Sequence, residues 1–176
     1  MKKSKFFLKN FLVLSLIGTI CVAAYAEKSD RQKPINISSD RGSEDHNKQE
    51  AVFEGNVVLT QGTLRVDANR IVIKRDNDGF NYAIAYGNPA KFRQKQDNAD
   101  QFVDGIAQRI EYNGKDDIVQ LFEKAKLNRG QDELTSNYIQ YNSRTETYQA
   151  FTPGQKNASS DSGSRVKAVI QPRVKE

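Results

Sequence analysis

An all-β domain built from an internal repeat is the fold class this chain predicts, and three observations predict it. Apolar and polar residues alternate with period two along most of the chain. Turn signals divide that alternation into short runs, and no window carries the spacing of an amphipathic helix. The phrase "FEGNVVLTQG", Phe53 to Gly62, returns as "LFEKAKLNRG", which ends 68 residues later at Gly130.

The first segment lies outside the domain. "MKKSKFFLKN" carries four lysines and no acid, and "FLVLSLIGTICVAAYA" is a short apolar run ending in an A-x-A site. Residues 1–26 therefore read as a secretory signal, cleaved near Ala26. The run is short for a spanning helix, which needs ~20 apolar residues. Its Cys21 follows a bulky Ile20, where a lipoprotein signal wants a small residue. Cleavage removes the only cysteine and four positive charges, so the net charge falls from +5 to about +1. That removes the electrostatic footprint of a nucleic-acid binder. The exported domain has no disulfide, yet at about 150 residues a core can bury roughly 68–70% of the unfolded surface.

Residues 27–34 are polar and read as a flexible N-terminal segment. The domain proper spans 35–152. "PINISSD" places Ile35 and Ile37 on one face. In "AVFEGNVVLTQ", Ala51, Phe53, Gly55, Val57 and Leu59 share a face, and Gln61-Gly62 supplies a turn. "TLRVDA" resumes with Leu64, Val66 and Ala68 inward, after which Ile71 and Ile73 take over the inward side. That slip of phase marks a bulge or corner near Asn69. The second copy aligns without a gap: Leu121 with Phe53, Ala125 with Val57, Leu127 with Leu59, Asn137 with Asn69, and the slip recurs. "AQRIEY", Ala107 to Tyr112, echoes "ANRIVI", Ala68 to Ile73. "NYAIAYGNPAKFRQ" is read with Tyr82, Ile84 and Tyr86 inward before the Gly-Asn-Pro break, and Ala90 and Phe92 inward after it. Asp78-Gly79 signals a hairpin. Residues 153–164, Ser/Gly-rich, read as a loop. Residues 165–176 hold a last strand, "RVKAVIQP", and a tail.

Catalytic chemistry is thin. His46 is the only histidine and sits in a polar turn, so neither a Ser-His-Asp triad nor a zinc site has its parts. Asp76-Asn77-Asp78-Gly79 opens like a calcium loop but lacks the later acidic ligands. Asp116 and Asp117 are adjacent, and neighbours on a strand or turn point apart. No cofactor and no metal are expected, and the protein reads as no enzyme. What stands out is an apolar face: Ile35, Ile37, Phe53, Leu59, Val66, Ile71, Tyr86, Phe92, Tyr112, Leu121 and Leu127. Either these residues fill a core, or they line a slot between two sheets that takes a lipid chain. Spacing alone leaves both readings open, and with them the alternative of an exported β-sandwich adaptor or carbohydrate-binding module with a filled core.

The stretches "PINISSD", "FEGNVVLTQGTLRVDANRIVI", "AYGNPAKFRQ" and "VQLFEKAKLNRGQDELTSNYIQY" resemble the OstA-like family of periplasmic lipopolysaccharide-transport bridge proteins. The resemblance covers about Pro34 to Phe151 and the last strand, with Phe53-x-Gly55-Asn56-Val57 and Gln61-Gly62 the most specific part. It implies an open, V-shaped β-jellyroll of two facing, mostly antiparallel sheets with an apolar groove for lipid A acyl chains. Ile35, Ile37, Phe92 and Tyr112 match family positions that contact lipid. It also implies head-to-tail stacking of the protein with itself, between an inner-membrane extraction complex and an outer-membrane insertion complex. The edges of that stack would be Ile35, Asn36 and Ile37 at one end and Val166, Ala168 and Ile170 at the other. Two departures stand out: Glu123-Lys124-Ala125 where the family often has Gly-Asn-Ala, and a long Ser/Gly-rich insertion before the last strand.

Overall fold

The computed structural model describes residues 30–76, 79–96, 100–151 and 165–172. The signal read over 1–26 and the loop over 153–164 lie outside the described residues. Ten strands follow a 3-10 turn at Asp30–Gln32: β1 (Asn36–Ser38), β2 (Arg41–Asp45), β3 (Glu50–Gln61), β4 (Leu64–Asp76), β5 (Gly79–Lys95), β6 (Phe102–Asn113), β7 (Ile118–Arg129), β8 (Asp132–Asn142), β9 (Thr147–Phe151) and β10 (Lys167–Val169). They form one antiparallel sheet in the order β1-β3-β4-β5-β6-β7-β8-β10. β2 extends the β3 edge and β9 the β8 edge. Among the described residues the two ends do not pair, so the sheet stays open.

The long strands share one interruption. The register shifts between Glu54 and Val57 on β3, Asp67 and Arg70 on β4, Tyr86 and Ala90 on β5, Ile106 and Arg109 on β6, and Phe122 and Ala125 on β7. These points lie side by side, so a single crease crosses the sheet and divides it into two leaves. The core cluster joins the two. It takes Val57, Leu59, Phe92, Val103 and Leu127 from one leaf, and Ile71, Ile73, Ile110, Leu121 and Ile139 from the other. The result is the all-β domain read from the alternation, in the open jellyroll arrangement that the family resemblance implies.

The repeated phrase is the crease. Glu54 pairs with Arg70 and Val57 with Ala68; 68 residues on, Phe122 pairs with Tyr138 and Ala125 with Ser136. Gly62 and Gly130 both adopt φ near +60° in two-residue hairpin turns, a conformation glycine takes without steric cost. Asn69, the corner read from the phase slip, sits opposite the extra residues Gly55-Asn56. Gly55 (φ 79°) and Asn56 (φ 46°) make the bend left-handed there. Asp40 fastens it: its carboxylate accepts from Asn56 Nδ2 at 3.0 Å, and its amide donates to the Gly55 carbonyl at 3.0 Å.

In the second copy the same bend is made by Glu123 (φ 65°) and Lys124 (φ 51°). Each side-chain-bearing residue in that region costs about 1–2 kcal/mol. Both are exposed, so little packing offsets the strain. Glu123→Gly combined with Lys124→Asn is expected to raise stability by about 1 kcal/mol, the strain relieved less the greater chain entropy of the unfolded glycine. Urea unfolding checks this, and a loss of stability would contradict it.

Candidate functional site

Between the leaves lies an apolar cleft of about 700 Å³, counted with its open mouth. One leaf contributes Leu59, Leu64, Val66 and Phe92, and the other Ile71, Phe80, Ala83, Ala85, Ile110, Tyr112 and Val119. Ile35, just ahead of β1, lines it as well. The polar lining is Asp30, Gln61 and Gln94. Alternation explains the walls: each strand shows every second residue to the interior, and the crease turns both leaves toward the same space.

Phe92 is held by its partner across the ladder. It pairs with Gly105, and a Cβ on Gly105 would stand 1.9 Å from the Phe92 ring. The ring therefore lies over the glycine backbone, and the two form one unit. Phe80 stacks on Tyr112 with centroids 5.9 Å apart, which builds the wall of the other leaf.

Of the eleven residues read as an inner face, Ile35, Leu59, Val66, Ile71, Phe92 and Tyr112 line the cleft. Ile37 and Phe53 pack against the core without lining it. Leu121 is 0% exposed and sits in the packed core, while Leu127, 3% exposed, borders a smaller separate pocket with Leu134, Tyr148 and Ala168. Slot and filled core thus coexist in one interior.

Tyr86 is a correction. It is 36% exposed, with the Arg70 guanidinium 6.0 Å from its ring centroid, while Ala85 beside it is buried. The inward residues of β5 before the crease are Ala83 and Ala85, not Tyr82, Ile84 and Tyr86. Gly87–Pro89 stand opposite the single residue Gln108, and this bulge changes the phase of β5 at the crease. Reading both halves in one phase put the large residues on the wrong side. Tyr82, on that outer face, donates to Glu111. Burial and then that bond push its phenol well above the usual tyrosine range.

Other parts of the lining were missed. Ala83 and Ala85 follow the alternation but carry small side chains, while Phe80, three residues before Ala83, is out of phase with it across the register shift at Lys74 and Arg75. Asp30 lies in a polar run expected to be flexible, yet it docks on the β3–β4 turn. The last strand is shorter than "RVKAVIQP" suggests: only Lys167–Val169 pair, with Val166 and Ile170 flanking.

The candidate chemical groups take structural roles. Asp117 is fully buried and bound by Arg144 through Nε at 2.7 Å, while Asp116 accepts from Asn113 at 2.7 Å. The two carboxylates serve separate turn contacts. His46 is exposed beside Glu44. Among the described residues no cluster of three or more metal-ligating side chains comes together.

Residues 36–147 match the protein family described as LptA/(LptD N-terminal domain) LPS transport protein. The chain is 34% identical to the lipopolysaccharide export system protein LptA of Escherichia coli strain K12, over 93% of this chain and 84% of that protein. It is 31% identical to LptA of Haemophilus influenzae, over 93% of this chain and 91% of that protein. The crystal structure of LptH, the LptA-homologous periplasmic component of the lipopolysaccharide transport device of Pseudomonas aeruginosa, superposes with a TM-score of 0.73. That match spans 82% of this chain and 99% of LptH at 28% identity.

Proposed function

The chain belongs to the LptA/LptD N-terminal-domain family of lipopolysaccharide transport proteins, and on that footing we propose that it is a periplasmic bridge whose cleft shields the acyl chains of lipopolysaccharide in transit. The observation that carries this is the open apolar cleft lined from both leaves. Moving an acyl chain into water costs ~0.8 kcal/mol per CH₂, so a chain of about twelve carbons carries a penalty on the order of 10 kcal/mol. An apolar wall on two sides removes much of that penalty. No covalent bond has to break, which is consistent with the thin catalytic chemistry.

The open ends of the sheet support stacking into a head-to-tail bridge. One end is β1 with β2, the other β9 with β10, and among the described residues both present unpaired strand edges. The second end also exposes apolar side chains: Ile170 is 76% exposed, Val169 53% and Phe151 49%. A second copy adding its first strand to β10 would bury them and continue the sheet. Different surfaces meet in such a contact, so it propagates into an open stack wherever the rotation between copies does not close a ring. In this reading the inner-membrane extraction complex and the outer-membrane insertion complex occupy the two ends of the stack.

Tyr112 and Tyr86 make a matched pair for the test. Tyr112 lines the cleft, and Tyr86 is exposed on the outer face of β5 directly before the Gly87–Pro89 bulge. A photo-crosslinking amino acid at position 112 is expected to capture lipopolysaccharide in intact cells, and the same group at position 86 is not. Equal capture at both positions would remove the cleft from the reading.

A further inference from the structure

Asp30 comes from a run of polar residues, and in the fold it forms part of the wall of the apolar cleft. Its Oδ2 accepts from the Thr63 amide at 2.9 Å and from the Thr63 hydroxyl. The same hydroxyl accepts from the Lys95 amide at 3.2 Å. One carboxylate thus ties the segment before β1 to the β3–β4 turn and, through Thr63, to the end of β5. Gly62 makes room for it, since a Cβ there would stand 1.9 Å from Asp30 Oδ1. Farther along, Gln61 Nε2 donates to the Lys33 carbonyl at 3.1 Å, and Ile35 reaches the cleft. Strand pairing begins only at Asn36. Asp30 and Ile35 therefore wall the hairpin end of the cleft, next to Gln61 and Leu64, and the segment that joins them does not belong to the sheet.

The fastening is built to release. Asp30 Oδ1 is buried without a hydrogen bond, and Lys33 Nζ stands 4.0 Å from it. A buried carboxylate oxygen left in that state offsets part of what the Oδ2 bonds contribute. Ile35 is only half-buried and adds modest apolar hold.

We infer that residues 30–35 are a strap across the hairpin end of the cleft, latched by Asp30 on Thr63, and that an acyl chain passes this end only when the latch opens. The inference rests on the carrier reading above and adds to it the control of one end of the path.

The exported chain has no cysteine, so a single engineered pair gives a clean test. Asp30→Cys with Thr63→Cys joins two side chains already in contact. Purified lipopolysaccharide is the probe, and its uptake is timed before and after reduction. Oxidised protein is expected to load at least tenfold more slowly, with reduction restoring the rate. In the otherwise unaltered protein, Asp30→Ala is expected to speed amide exchange over residues 31–36 by roughly tenfold or more, from the loss of a charge-assisted bond, and to leave β7 and β8 unchanged. Equal loading in both redox states, with Tyr112 still crosslinking, overturns the strap and leaves the carrier. Unchanged exchange in Asp30→Ala overturns the latch. Loading in neither state overturns the carrier and the strap together.

Discussion

Replacing Gly105 by valine is expected to cost about 3–5 kcal/mol, much of the stability of a domain this size. The added Cβ alone would come within 1.9 Å of the Phe92 ring. Phe92 is 3% exposed and packed into the core, so its ring has nowhere to move without giving up burial. Overpacking strain and lost ring burial then act together. Urea unfolding measures the loss. The partner variant, Phe92→Ala with Gly105→Val, should recover part of it, because the two residues form one unit and their effects are not additive. A loss below about 1 kcal/mol for Gly105→Val would show that the ring is not seated on the glycine.

The second large effect falls on binding. Leu64→Asp with Tyr112→Asp places one carboxylate on each wall of the cleft. Both positions are half-buried, so the charges can reach water in the empty protein and the fold should survive. An acyl chain entering the cleft would have to strip water from both, at several kcal/mol in total. Lipopolysaccharide affinity is expected to fall at least a hundredfold, with circular dichroism still showing the folded sheet. Undiminished affinity in a folded variant would place the lipid elsewhere. Phe92 is the wrong position for this test: a charge there would strike the packed core and confuse unfolding with lost binding.

Much of the fold was legible because it rests on local chemistry. Period two follows from strand geometry, so β3, β4, β7 and β8 could be read directly. The phase slip at Asn69 and its return at Asn137 marked the crease on two strands before any pairing was known. Ile35, Leu59, Val66, Ile71, Phe92 and Tyr112 followed from that alternation. β5 was misread because the crease changes its phase through an inserted segment, and apolar residues occur on both of its faces. Tyr82 and Tyr86 looked like the buried set, whereas Ala83 and Ala85 hold it. Asp30 was invisible for a different reason: its partner, Thr63, is 33 residues away.

By itself the sequence determined strands, turns and the crease, because each depends on residues a few positions apart: alternation, a glycine that tolerates positive φ, a slip of phase. Only the tertiary structure decided which part of the interior is filled and which is open. Ile71 and Ile139 occupy aligned positions in the repeat, yet Ile71 borders the cleft while Ile139 is fully buried in the core and does not line it. That difference arises from what the opposite leaf and the segment before β1 bring to the same space, and no local pattern records the volume left between surfaces that meet only after folding.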